Sequence, residues 1–105
     1  MAFNKSHHYN KRERIVSHFA HALKHPARVC ILEELYLLGP RTVQALTKSH
    51  PLSQPTISQH LELLRKAQLV EYKEKYPYTY YSIHSRNFKR AKAYLESYLK
   101  KFQWQ

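Results

Sequence analysis

Glycine is almost missing from this chain: Gly39 is the only one. Phosphate-cradling loops need several glycines to bring backbone N–H groups close to an anion, so nucleotide-binding loops of that kind are excluded. Cysteine is equally scarce. Cys30, alone, cannot close an intramolecular disulfide or supply a CxxC metal or redox pair, which is compatible with a reducing compartment. With no neighbouring charge pattern to lower its pKa, it is expected to be a small core residue. Long apolar runs are absent too. Val29 to Leu32 is among the longest, far short of the roughly 20 residues needed to span a bilayer. Met1 to Arg14 is polar and has no apolar h-region, so no signal peptide is expected. No nucleophile–base motif is visible, and an enzyme is not expected.

Against these absences stands a large excess of positive charge. Eighteen Lys and Arg face seven acidic residues, a formal net charge of +11 in 105 residues. That balance calls for a polyanionic partner, with nucleic acid first and an anionic membrane surface as the rival. A chain of this length fits one domain with a modest core.

Residues 1–10 read as a flexible segment and 11–105 as a single domain. Ile15, Phe19, Ala22 and Leu23 have the spacing of an apolar helical stripe, predicting a helix from Lys11 to about Lys24. His25-Pro26 breaks it and Pro26 starts a second helix, with Val29, Ile31, Leu32, Leu35 and Leu38 as its buried side. Gly39, as a left-handed cap, and Pro40 end it. A short helix from Val43 to Ser49 follows Thr42, with Val43 and Leu46 inward, and His50-Pro51 forms the turn. The next helix runs from Gln54 to about Ala67. Leu69 to Lys73 and Tyr78 to Ile83 read as strands joined at Tyr76-Pro77, the second rich in Tyr and Thr. Ser85 is the expected cap of a last helix bearing Phe88, Ala91, Leu95, Tyr98 or Leu99, and Phe102 on one face. The fold class is mainly α with a small β-hairpin: a winged helix-turn-helix, ordered α-α-α-α-β-β-α.

The segment Leu52-Ser53-Gln54-Pro55-Thr56-Ile57-Ser58-Gln59-His60-Leu61 carries the most chemistry. Ile57, Leu61 and Leu64 share one helical face, and Gln54, Ser58, Gln59 and His60 fall largely elsewhere. An apolar back with small uncharged hydrogen-bonding groups at the N-terminal end suits the DNA major groove. Ser53 is the expected N-cap, and Pro55 sits in the first turn, where its missing N–H costs nothing.

The chain resembles the ArsR/SmtB family of bacterial winged-helix repressors over roughly residues 18–83. The resemblance is carried by His25-Pro26-Ala27-Arg28 with Ile31-Leu32, by Thr42-Val43-Gln44-Ala45-Leu46, and by the Leu52 to Leu61 segment. Leu64-Arg65-Lys66-Ala67-Gln68-Leu69-Val70 and Tyr80-Tyr81-Ser82-Ile83 complete it. It implies a cytoplasmic homodimer that represses transcription, with recognition-helix contacts from Gln54, Pro55, Thr56, Ser58 and Gln59 and backbone contacts from the wing. The expected DNA-contacting set is these five with Arg41, Ser53, His60, Lys73 and Lys75, the cations reaching phosphate rather than bases. The expected dimer interface is Ile15, Phe19, Leu95, Tyr98 and Phe102, apolar groups that a small domain cannot all hide. The chain departs from the metal-sensing pattern of many relatives. Arg41-Thr42-Val43-Gln44 contains no cysteine, and the last helix has neither Asp nor His. Pro51 replaces the usual turn glycine, and Tyr76-Pro77 stands where a wing-tip Gly-Arg is usual.

His18, His21 and His25 recur at helical spacing behind His7 and His8 and are the candidates for a metal site. No carboxylate or thiolate completes the set, so neither metal nor cofactor is expected. Of the wing tyrosines, Tyr80 is expected to pack on the domain, while Tyr76 and Tyr78 are left for either packing or base stacking. The leading reading is a sequence-specific transcriptional regulator of double-stranded DNA, a repressor on a palindromic operator, with no membrane role. A non-specific or architectural nucleic-acid binder is the alternative.

Overall fold

The computed structural model describes residues 8–104. Most of the expected flexible segment, including His7, lies outside the described residues. The order is α1 (Lys11–Ala22), α2 (Pro26–Leu38), α3 (Val43–Ser49), α4 (Gln54–Lys66), β1 (Val70–Lys75), β2 (Tyr78–Ile83) and α5 (Ser85–Leu99). This is the winged helix-turn-helix read from the sequence.

Four of the five helices start where a side chain takes an orphan N–H. Asn10 and Glu13 form a reciprocal capping box on α1, and Thr42 Oγ1 accepts from Ala45 N. His25 Nδ1 accepts from Ala27 N at the head of α2. His84, not Ser85, occupies the cap of α5, its Nδ1 accepting from Asn87 N. Gly39 has the positive φ expected of it (79°), but its ψ of −160° leads into an extended segment rather than a left-handed turn.

The core is built from Phe19 and Ala22 of α1, Ile31, Leu32 and Leu35 of α2, and Leu46 of α3. Ile57, Leu61 and Leu64 of α4 join them with Leu69, Val70 and Ala91. Phe19 meets Phe88 of α5 edge to face at 5.5 Å, joining the outer helices within one chain. Val16, absent from the expected stripe, is buried beside them, and Ile15 is half-buried.

Helix α2 corrects three expectations. A helix turns about 100° per residue. Arg28, Leu32 and Leu35 therefore fall in phase with the core, and all three are buried. Val29 stands off that stripe and is exposed, and Leu38 is 62% exposed beyond the end of the packed region. Cys30 lies on the far side and is exposed, not in the core.

The hairpin pairs antiparallel from Val70↔Ile83 to Lys75↔Tyr78, with a cis Tyr76–Pro77 bond at its tip. Only Val70 of β1 is buried, so the rest of the hairpin projects from the body as a wing. Tyr81 packs against the core. Its backbone exchanges two hydrogen bonds with Arg41, at 2.9 and 2.8 Å. This bridge anchors the wing to the segment that precedes α3.

Candidate nucleic-acid interface

Helix α3, the turn His50-Pro51-Leu52-Ser53 and helix α4 make the helix-turn-helix. Burial of Ile57, Leu61 and Leu64 fixes which side of α4 is presented. Ser53, Gln54, Pro55, Ser58 and Gln59 are exposed, and Thr56 is half-buried. Ser53 holds the N-cap position with extended backbone (φ −71°, ψ 160°), yet makes no side-chain cap bond. Its hydroxyl instead lies 3.0 Å from that of Thr56. The first turn of α4 thus keeps its partial positive charge and its uncapped N–H groups at the surface, where an anion or a base edge is favoured.

His60 departs from its expected role. Nine per cent exposed, it follows Ile57 by three residues and precedes Leu64 by four, and so shares their buried face. Its Nδ1 sits 3.2 Å from Arg28 Nη1, and its ring lies 4.5 Å from that of His25. Arginine can only donate, so His60 Nδ1 is the acceptor and the ring is neutral with hydrogen on Nε2. Burial, then the charges of His25 and Arg28, push the His60 pKa below its ordinary value. Arg28, itself 7% exposed, also donates to the carbonyls of Ala22 (2.8 Å) and His21 (3.4 Å). It therefore caps the C-terminal end of α1 and ties α1, α2 and α4 together behind the exposed face.

Arg41 is half-buried, and its Nε donates to Glu34 Oε2 at 3.2 Å. Ser49 Oγ reaches the other oxygen at 2.7 Å, and His50 Nε2 lies 3.4 Å from it. The Glu34 carboxylate thus fastens the helix-turn-helix to α2. Farther along α4, Glu62 is paired to Arg65 through both oxygens; this partner holds its pKa below the usual carboxylate range. Glu62 shares the outer side of the helix with Ser58 and Gln59, so the pairing offsets a charge that would repel phosphate. Sequence reading missed both clamps. The Ile57-x-x-His60-Leu61-x-x-Leu64 spacing does signal a buried histidine.

On the wing, Lys73 and Lys75 are exposed on one face of β1, opposite Tyr80 and Tyr78 in the register. Tyr76 is 98% exposed at the tip. Tyr80, half-buried, stacks edge to face with Tyr78 at 6.3 Å. Of the expected interface residues, Phe19 is already buried by its own chain, and Ile15 and Leu95 are half-buried. Tyr98 and Phe102 stay exposed and meet edge to face at 5.1 Å, and Trp104 stacks on Phe102 at 6.3 Å. Among the described residues, no group of three or more His, Cys, Asp or Glu is placed to hold a metal ion. No helix among them is long and apolar enough to cross a membrane.

The model of the bacterial regulatory protein arsR family matches residues 25–72, which span α2 to the start of β1. NolR from Sinorhizobium fredii is 30% identical, with 93% of this chain and 96% of that one covered and a TM-score of 0.67. The chain belongs to the ArsR family. A possible transcriptional regulator for arsenical resistance is 28% identical, with a TM-score of 0.68 and coverage of 74% of this chain and 80% of that one. The winged helix-turn-helix domain of Mb0332 from Mycobacterium bovis, described as homodimeric, shares the fold: 24% identity, coverage of 92% and 96%, TM-score 0.64. No significant match to a curated protein was found. This ArsR-family chain is thus a transcriptional regulator with a DNA-binding winged helix-turn-helix. In the cysteine-free stretch Arg41–Gln44, Arg41 pairs with Glu34 and Thr42 caps α3.

Proposed function

We propose that this ArsR-family protein is a homodimeric, sequence-specific repressor that places α4 in the major groove of a palindromic operator. The observation that carries the reading is the exposed, uncharged end of α4. Gln54, Ser58 and Gln59 project from the first turns, Gln can bond bidentately to adenine, and the helix dipole favours adjacent phosphate. Ser53, Pro55 and Thr56 line the same end. Lys73 and Lys75 on the wing follow the backbone and carry no sequence information. Arg41 acts mainly by holding the wing and α2 together, with phosphate contact left to its outer nitrogens.

Dimerisation is supported by the exposed aromatic series Tyr98, Phe102 and Trp104, a patch a monomer has no reason to keep in water. A two-fold dimer presents two α4 helices about one DNA turn apart. Selection of bound fragments from the source genome tests the proposal. It should return an inverted repeat with half-sites about 10–10.5 bp apart, or a multiple, overlapping a promoter whose reporter is silenced by the protein. Recovery of fragments without a shared sequence favours the architectural alternative.

A further inference from the structure

Two cavities flank α1. One, of about 780 Å³, is lined by Val16 and Ser17 and opens beside Tyr98, so it belongs to the proposed dimer face. The other, of about 460 Å³, lies on the opposite side of α1, between the C-terminal end of α4 and the start of α5. We infer that this second cavity binds a small organic anion, one that carries a phosphate or carboxylate on an apolar body.

The lining sorts into a charged rim and an apolar floor. Lys11, Arg14 and His18 project from α1 at i, i+3 and i+7, which puts them on one face. Lys66 closes the ring from α4 and Arg90 from α5; no carboxylate lines the cavity. Arg14 also donates to the Tyr9 carbonyl at 3.0 Å and Arg90 lies 5.8 Å over the Tyr94 ring, and basic groups converging from three elements make the rim locally positive, a setting that favours an anion. Lys66, in the last turn of α4, is favoured there by the helix dipole alone. Lys11 is not: it opens α1, where a positive charge opposes the dipole. Phe19, Leu69 and Ala91, all less than 10% exposed, supply the floor. A charged rim over an apolar floor fits an amphipathic anion better than free phosphate, and the volume is that of a small-molecule site.

The C-terminal end of α4 shapes one edge of the cavity. Gln68 holds a left-handed conformation (φ 63°), which a non-glycine residue adopts at a cost. It ends α4 in a Schellman motif, with Gln68 N bonded to Arg65 O and Leu69 N to Leu64 O. Gln68 stands at the edge of the cavity, and its Oε1 accepts from Asn87 Nδ2 at 3.4 Å. The cavity is separate from the reading end of α4, because twelve residues of helix, about 18 Å, divide Gln54 from Lys66.

The test is a titration of phenyl phosphate into the ¹⁵N-labelled full chain. Saturable shifts should centre on the amides of Gln68, Leu69, Asn87 and Ala91, and benzyl alcohol, which lacks the anion, should leave them in place. Lys66→Gln/Arg90→Gln should weaken binding at least about tenfold with the spectrum still dispersed. Lys92→Gln, which removes a charge outside the cavity, should bind as the parent does. Absence of saturation, shifts centred on Val16 and Tyr98, or equal loss in Lys92→Gln overturns the proposal. So does a DNA-binding salt slope reduced by about 2 in Lys66→Gln/Arg90→Gln, which would make the cavity part of the DNA phosphate track.

Discussion

Arg28→Met is the perturbation that probes the architecture most sharply. Arg28 holds three acceptors: Ala22 O at 2.8 Å, His60 Nδ1 at 3.2 Å and His21 O at 3.4 Å. Methionine refills most of the volume, so no large cavity opens. It donates nothing, and the Ala22 carbonyl and His60 Nδ1, both in buried residues, are left unpaired. An orphaned buried acceptor costs about 1–3 kcal/mol, so two that share one partner should cost about 2–4 kcal/mol. Small domains have about 5–15 kcal/mol of stability in total, so the effect is large. With a urea slope of about 2 kcal/mol/M, the midpoint should fall by roughly 1–2 M. The assay is urea unfolding by circular dichroism at one fixed protein concentration, because association shifts the midpoint. Arg28→Met/His60→Leu supplies the internal check. Once both partners are apolar, the second change should add little or recover part of the loss. A single variant that loses less than about 0.5 kcal/mol, or a double variant that loses the full sum of the two singles, refutes the claim that this pair is a stabilising clamp.

Three further outcomes follow from the same geometry. The pKa of His60 is depressed by burial and by His25 and Arg28, so the unfolded chain binds the extra proton first. Stability should be full above the ordinary histidine value of about 6.5 and fall as pH drops below it, and His60→Leu should flatten that slope; a urea midpoint that rises on acidification contradicts the assignment. Sedimentation should give twice the 12.6 kDa chain mass, and Tyr98→Ser/Phe102→Ser should give one chain mass; an unchanged dimer in that variant places the interface elsewhere. DNA affinity should drop about 10³–10⁵-fold between roughly 50 and 200 mM salt if six to ten phosphates are neutralised, with Lys73→Ala and Lys75→Ala weakening all sequences alike; a flat response means the +11 charge is not aimed at DNA.

The order of elements was legible because the breakers are strong and local. His25-Pro26, Gly39-Pro40, His50-Pro51 and Tyr76-Pro77 divide the chain at the observed boundaries, and the apolar spacing between them sets each helix face. The reading of individual side chains failed where tertiary partners override residue type. Cys30 is apolar enough for a core but sits on the solvent side of α2, while Arg28, a cation, occupies the buried stripe because two carbonyls and an imidazole receive it. Its chemistry groups His60 with the DNA-facing polar residues, although its spacing from Ile57 and Leu64 points inward. The bridge from Arg41 to Tyr81 joins residues 40 positions apart through backbone alone, and no local pattern encodes it.

The central claim is that α4 reads sequence from its N-terminal end. Its most direct test compares Gln54→Ala and Gln59→Ala with the parent on the selected operator and on random duplex at one salt concentration. Both side chains are exposed and lie off the Ile57, Leu61 and Leu64 face, so folding should be unaffected. Loss of a good base contact costs about 1–3 kcal/mol of discrimination, so operator affinity should fall about 5–150-fold while random-duplex affinity stays within about twofold. Equal loss on both DNAs would contradict the account and reduce α4 to a backbone anchor.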